Sequence, residues 1–142
     1  MAAKQLTVEF GIIKPYPETD VIYDGSGESG VTIVIEAFGA ASGIRINNTT
    51  RSESMILDND RIKSITGAGL SKDDVITIVT TKGSKSAKLV RDGTSYNILH
   101  ALDKSSKWIY LQTGSNKFTS TATSGLENIR VHLEYSVKYL GV

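Results

Sequence analysis

The sequence predicts an all-β fold, an antiparallel β-sandwich, on three observations. The run from 129 to 139 alternates, with Ile129, Val131, Leu133, Tyr135, Val137 and Tyr139 set against Arg130, His132, Glu134, Ser136 and Lys138. Further β-branched runs are short and end at glycines, as strands joined by tight turns do. Helical periodicity is nearly absent. Only "SYNILHALD" reads as a helix, with Ser95 as N-cap and Ile98, Leu99 and Leu102 on one face. One short helical segment cannot make a layer, so sheet packed on sheet is the economical architecture.

The elements follow in order. "GVTIVIEAFG" places Val31, Ile33, Ile35 and Ala37 on one side and Thr32, Val34 and Glu36 on the other, which is a strand. "GIRINNTT" and "SESMILDND" are short and β-rich, and read as a hairpin or meander. "DDVITIVTTKG" is a strand that Gly83 turns into "KSAKLVRDG", and Gly93 marks the next turn. In the terminal strand the odd positions face a core and the even ones face water. "KPYPETD", stiffened by Pro15 and Pro17, reads either as a connector between domains or as the lead-in to an edge strand. Residues 1–16 are thus a lead-in, part of a first strand or, for Met1 to Ala3, residues added for expression. Residues 17–142 form the sandwich domain.

A chain of 142 residues suffices for one domain with a core that needs no disulfide or metal. The sequence has no cysteine, which excludes disulfides, thiolate metal sites and a cysteine nucleophile. Sixteen Lys and Arg against fifteen Asp and Glu, with no long run of either sign, provide no footprint for a nucleic acid or an anionic membrane. The start "MAAKQLTVEF" lacks the apolar run of a signal peptide, and no stretch approaches the roughly 18 apolar residues of a membrane helix. The chain therefore reads as soluble and unprocessed.

Chemistry-bearing patterns are few. Gly25, Gly27 and Gly30 match G-x-G-x-x-G, but a strand pattern follows where a dinucleotide site needs a helix, so the stretch reads as a hairpin loop. Asp58, Asn59 and Asp60 lack the glycine and distal glutamate of a calcium loop and read as a polar turn. Asn47 and Asn48 each head an N-x-Thr sequon and read as strand-end residues. His100 and His132 read as solvated. The neighbours Asp73 and Asp74 point apart on an extended or turn segment and so cannot form a convergent acid pair. An enzyme is not expected, nor any cofactor or metal.

Trp108 and Tyr110 are two residues apart and share a face if the segment is extended. Such a pair can stack on the apolar face of a sugar, with Gln112, Asn116, Asn97 and Lys117 as nearby polar groups. It can equally pack against a neighbouring sheet or a partner chain, the commoner fate of paired aromatics.

The segment from Thr80 to Val142 resembles the C-terminal end of distal tail proteins of siphophages and related prophages of Gram-positive bacteria. The resemblance rests on an ordered series: a "KG-x-K" turn, "RDG-x-x-YN-x-L", "LDKSSKW-x-x-L", "TGSN-x-F", "T-x-TSG-x-x-N" and the terminal "YLGV". Upstream, "GESGVTIVIEAFG" and "INNTTRSESMIL" are similar to the opening strands of the same domain, extending the likeness to about Pro17. The resemblance implies a galectin-like or carbohydrate-binding-module-like β-sandwich. It implies a structural protein of the virion, made in the bacterial cytoplasm and placed at the tail tip or baseplate where the tail tube meets the adhesion device. Its partners would be tube, tail-tip or receptor-binding proteins. Members of this family form hexamers through an N-terminal ring domain that has no counterpart here, so this chain is expected to be monomeric, as an isolated C-terminal domain or a naturally short relative. A carbohydrate-binding module for host cell-wall polysaccharide is the alternative reading, and a hydrolase is a distant third.

Overall fold

The run at 32–37 builds the central strand of the larger sheet because its alternate side chains, Ile33, Ile35 and Ala37, are all buried while Thr32, Val34 and Glu36 are half-buried on the opposite face. The structure, a computed structural model, describes residues 3–10 and 19–138, with side chains from 19 to 136.

Among the described residues, ten strands form two antiparallel sheets. They are β1 (Ala3–Phe10), β2 (Thr19–Tyr23), β3 (Thr32–Ala37), β4 (Arg45–Asn48), β5 (Glu53–Ile56), β6 (Val75–Val79), β7 (Ser86–Arg91), β8 (Thr94–Asn97), β9 (Gly114–Thr121) and β10 (Ile129–Lys138). The larger sheet runs β1-β10-β3-β6-β7-β8 and the smaller β2-β9-β4-β5. The predicted all-β sandwich with one short helix is therefore what the chain forms.

Register explains the core. Ile33 lies opposite Leu133 on one side and Ile78 on the other, and Ile35 opposite Val131 and Ile76, so one row of branched side chains crosses three strands. The smaller sheet adds Val21, Tyr23, Ile46, Met55 and Phe118 to the same cluster. In β10 the expected inner face holds for Ile129, Val131, Leu133 and Tyr135, which are buried. Tyr139 and the side chain of Val137 lie outside the described residues, as do Pro15 and Pro17 of the lead-in. The hairpin expected from "GIRINNTT" and "SESMILDND" forms as β4 and β5.

The helix lies elsewhere than the sequence suggested. Ser95 is a strand residue opposite Val90, and past Asn97 the chain makes only a 3-10 turn at Leu99–Ala101. The ladder wins because the Ile98 amide bonds to the Ala87 carbonyl at 2.9 Å and buries the Ile98 side chain fully. The α-helix, α1, spans Asn59–Thr66, where a polar turn was expected. Asp58 caps it, its carboxylate accepting from the amides of Asp60 and Arg61 at 3.0 and 3.3 Å. Gly67, at φ +95°, closes it by donating to the Lys63 carbonyl, and Ile62 anchors it in the core. "GSGESG" is a loop as expected, but not a hairpin loop, because it carries the chain from the smaller sheet to the larger.

Candidate interaction surface

Residues 103–111 turn at Lys104–Ser105 and then run beside β5 without joining a sheet as a strand. The Asp103 amide bonds to the Ile56 carbonyl at 2.9 Å, the Ile56 amide to Ser106 Oγ at 2.9 Å, and the Lys107 amide to the Ser54 carbonyl at 2.7 Å. The segment thereby covers the open edge of the smaller sheet, where unpaired backbone groups would invite another strand. Alternation along it buries Ile109 and Leu111 fully and leaves Trp108 and Tyr110 half-buried on the other side.

Trp108 and Tyr110 do share a face, and lysines cover it. Lys85 Nζ sits 5.2 Å from the Trp108 ring and 5.9 Å from the Tyr110 ring, and Lys82 Nζ lies 5.7 Å from Tyr110. Trp108 also packs against the core cluster. Tyr110 is held at its backbone: its carbonyl accepts from Asn48 Nδ2 at 3.1 Å and its amide donates to Glu53 at 3.3 Å. Asn48 is thus a buried strand-end residue with a structural task.

The other two predicted contacts turn to a different purpose. Asn116 is fully buried near the start of β9, its Nδ2 donating to the Gln112 and Gly114 carbonyls at 2.8 and 3.1 Å and its Oδ1 accepting from the Gln112 amide at 2.9 Å. Gln112 is half-buried beside it, with Nε2 3.5 Å from the Ser115 carbonyl. The pair locks the turn, and Asn116 presents no surface to a ligand.

Beside Tyr110 a charged network links three segments that are distant in sequence. Arg51 bonds to Glu28 at 2.6 Å and to Glu53 at 3.2 Å, and Lys82 lies 3.6 Å from Glu28. The Arg51 hydrogen bond holds the Glu28 carboxyl below its ordinary range. Glu28, Lys82 and Tyr110 line a cleft of about 340 Å³ between the loop before β3, the β6–β7 turn and the far end of β10. Burial raises the pKa of Tyr135, one of its lining residues. Sequence reasoning missed this cleft because residues 28, 82, 110 and 134 meet only through the fold.

The remaining candidates stand apart from one another. Asp73 is exposed at φ +72°, while Asp74 is buried and ion-paired to Arg91 at 2.7 Å. His100 is exposed. His132 is not freely solvated: its Nδ1 is buried 3.6 Å from Glu36. Among the described residues no group of three His, Asp or Glu side chains is placed to hold a metal, and no helix is long and apolar enough to cross a membrane.

No family model matches the chain, and no curated protein does. Among solved structures, a chain in the structure of the phage P2 baseplate in its activated conformation with Ca shares the fold, at a TM-score of 0.52 and 10% identity. The match covers 85% of this chain and 36% of that one, so this chain spans just over a third of the length of the protein it resembles. A likeness at this identity is one of fold.

Proposed function

We propose that this chain is a non-catalytic structural component of a phage tail tip or baseplate, a rigid β-sandwich that docks neighbouring tail proteins where the tube meets the adhesion device. The observation that carries the reading is the fold shared with a baseplate chain over 85% of the present sequence. It agrees with the ordered distal-tail motifs between Thr80 and Val142. The surface chemistry fits as well. Of the aromatic pair most suited to sugar stacking, Trp108 is packed on the core and Lys85 covers both rings, an arrangement that serves stiffness more directly than open recognition. On this reading the virion tail is its location and tube, tail-tip or receptor-binding proteins are its partners.

The test is reconstitution with the tail proteins encoded beside this chain. Each is purified and mixed with it, and binding is followed by size exclusion and by light scattering. A stoichiometric complex with at least one tail protein is expected. Failure of every neighbour to bind, singly or together, would count against a docking role.

A further inference from the structure

We propose that the cleft beside Tyr110 receives an arginine side chain of the protein on which this chain docks, an inference that rests on the docking role and adds the chemistry of the contact. Charge singles out the occupant. Glu28 is satisfied twice, by Arg51 at 2.6 Å and by Lys82 at 3.6 Å. Glu134 lines the same cleft and is half-buried, and its carboxylate has no ion pair or hydrogen bond among the described residues. A carboxylate partly withdrawn from water is screened less than an exposed one, so a cation beside it gains more. Among the described lining residues Lys82 is the only cation, and Glu28 already holds it. Arg51 is taken up by Glu28 and Glu53. An anion does not fit, because one lysine faces two carboxylates. A metal ion does not fit, because no three His, Asp or Glu side chains converge among the described residues.

The rest of the lining suits a guanidinium better than an ammonium. Tyr23 and Tyr135, 1% and 6% exposed, both line the cleft, their rings meeting edge to face at 6.1 Å. Neither hydroxyl is hydrogen-bonded among the described residues. Buried polar groups are ordinarily paired, so open acceptors around a carboxylate call for a cation with several N–H donors. Arginine supplies them in one plane, and that plane also stacks on aromatic rings. Arg130 already lies over a ring of this molecule, 5.6 Å from the centre of Phe38. Burial and, after it, the Asp24 carboxylate hold the Tyr135 hydroxyl above its ordinary pKa, so negative charge reaches the cleft from that side too. The walls are set before a partner arrives. Gly30 lets the loop before β3 lie directly on the β6–β7 turn, since a Cβ there would stand 2.5 Å from Thr81 Cα.

The test is a titration of the isotopically labelled chain, followed by amide chemical shifts, with Nα-acetyl-arginine methylamide and with its citrulline counterpart, which keeps the shape and loses the charge. Saturable shifts at Glu28, Thr81, Glu134 and Tyr135 are expected with arginine and not with citrulline. Glu134→Gln removes a charge that no described residue compensates, so it should keep the fold while weakening arginine binding about tenfold. Asp60→Asn, on α1, should leave binding unchanged. The proposal is overturned if arginine gives no saturable shifts up to about 50 mM, well above a millimolar dissociation constant. It is overturned equally if citrulline binds as well, if the shifts map away from the cleft, or if Glu134→Gln binds arginine as the unaltered chain does. Reconstitution with Glu134→Gln separates this contact from the docking role. A tail-protein complex that weakens with the variant supports both, whereas one that forms unchanged retains the docking role and overturns the cleft as its contact. Failure of every tail protein to bind the unaltered chain counts against the docking role, and the arginine titration then decides the cleft.

Discussion

Asp74 is 1% exposed and meets Arg91 at two points, 2.9 Å to Nε and 2.7 Å to Nη2. Arg91 spends its remaining donors on Thr66 Oγ1 and the carbonyls of Ala68 and Gly69, so one guanidinium ties β7 to the loop that follows α1. Removing one partner strands a charge: Asp74→Ala is expected to cost about 3–5 kcal/mol in urea unfolding. Asp73→Gly, next to it, should cost nothing and gain up to about 1 kcal/mol, because the left-handed backbone there suits glycine better. Equal losses would mean that the ion pair is not what holds the loop. The sequence showed two adjacent carboxylates pointing apart, which is correct. It could not show that one of them meets an arginine 17 residues later.

Glu28 has a pH signature of modest size, since its side chain is 38% exposed. Its carboxyl titrates below the ordinary 4.5 because Arg51 hydrogen-bonds to the charged form. A depressed folded value means that the stabilisation is present above the unfolded value and is lost as the pH falls through the folded one. Melting curves should therefore drop on acidification below about pH 4.5, and Arg51→Met should flatten that drop. An unchanged acid limb in Arg51→Met would assign the loss to other carboxylates.

At the scale of elements, β10 joins the two flanks of the larger sheet, with β1 on one side and β3 on the other. Leu133→Ala is expected to cost about 2–5 kcal/mol, the cost of a cavity at a fully buried site. Glu134→Gln, one residue on and half-buried on the opposite face, should cost little. The two variants would shift the melting temperature alike only if the face assignment were wrong. Strands such as β3, β6 and β10 were legible because a period of two survives any tertiary context that buries one face. α1 was not, because only Ile62 of its eight residues is buried, which leaves almost no periodic signal. Its readable marks were the caps, Asp58 and Gly67, and these look like turn residues when the apolar stripe is this thin. The segment "SYNILHALD" erred the other way: Ile98, Leu99 and Leu102 mimic a helical face, but Ile98 is buried by ladder contacts with β7.

At the scale of the whole molecule, the sandwich buries one core between six strands and four, and closes the edge at β5 with the 103–111 segment. The spacing of Trp108 and Tyr110 foretold their common face. The covering lysines come from 23 or more residues upstream, beyond any local pattern. Asn116 looked like a free amide because nothing in the sequence says which asparagines close turns on themselves. The central proposal is that this sandwich belongs to the tip of a phage tail. The most direct measurement is gold-labelled antibody imaging of purified particles from the phage or induced prophage that encodes the chain. The account predicts label confined to the distal end of the tail. Particles that lack the chain, or carry it on the capsid, would contradict it.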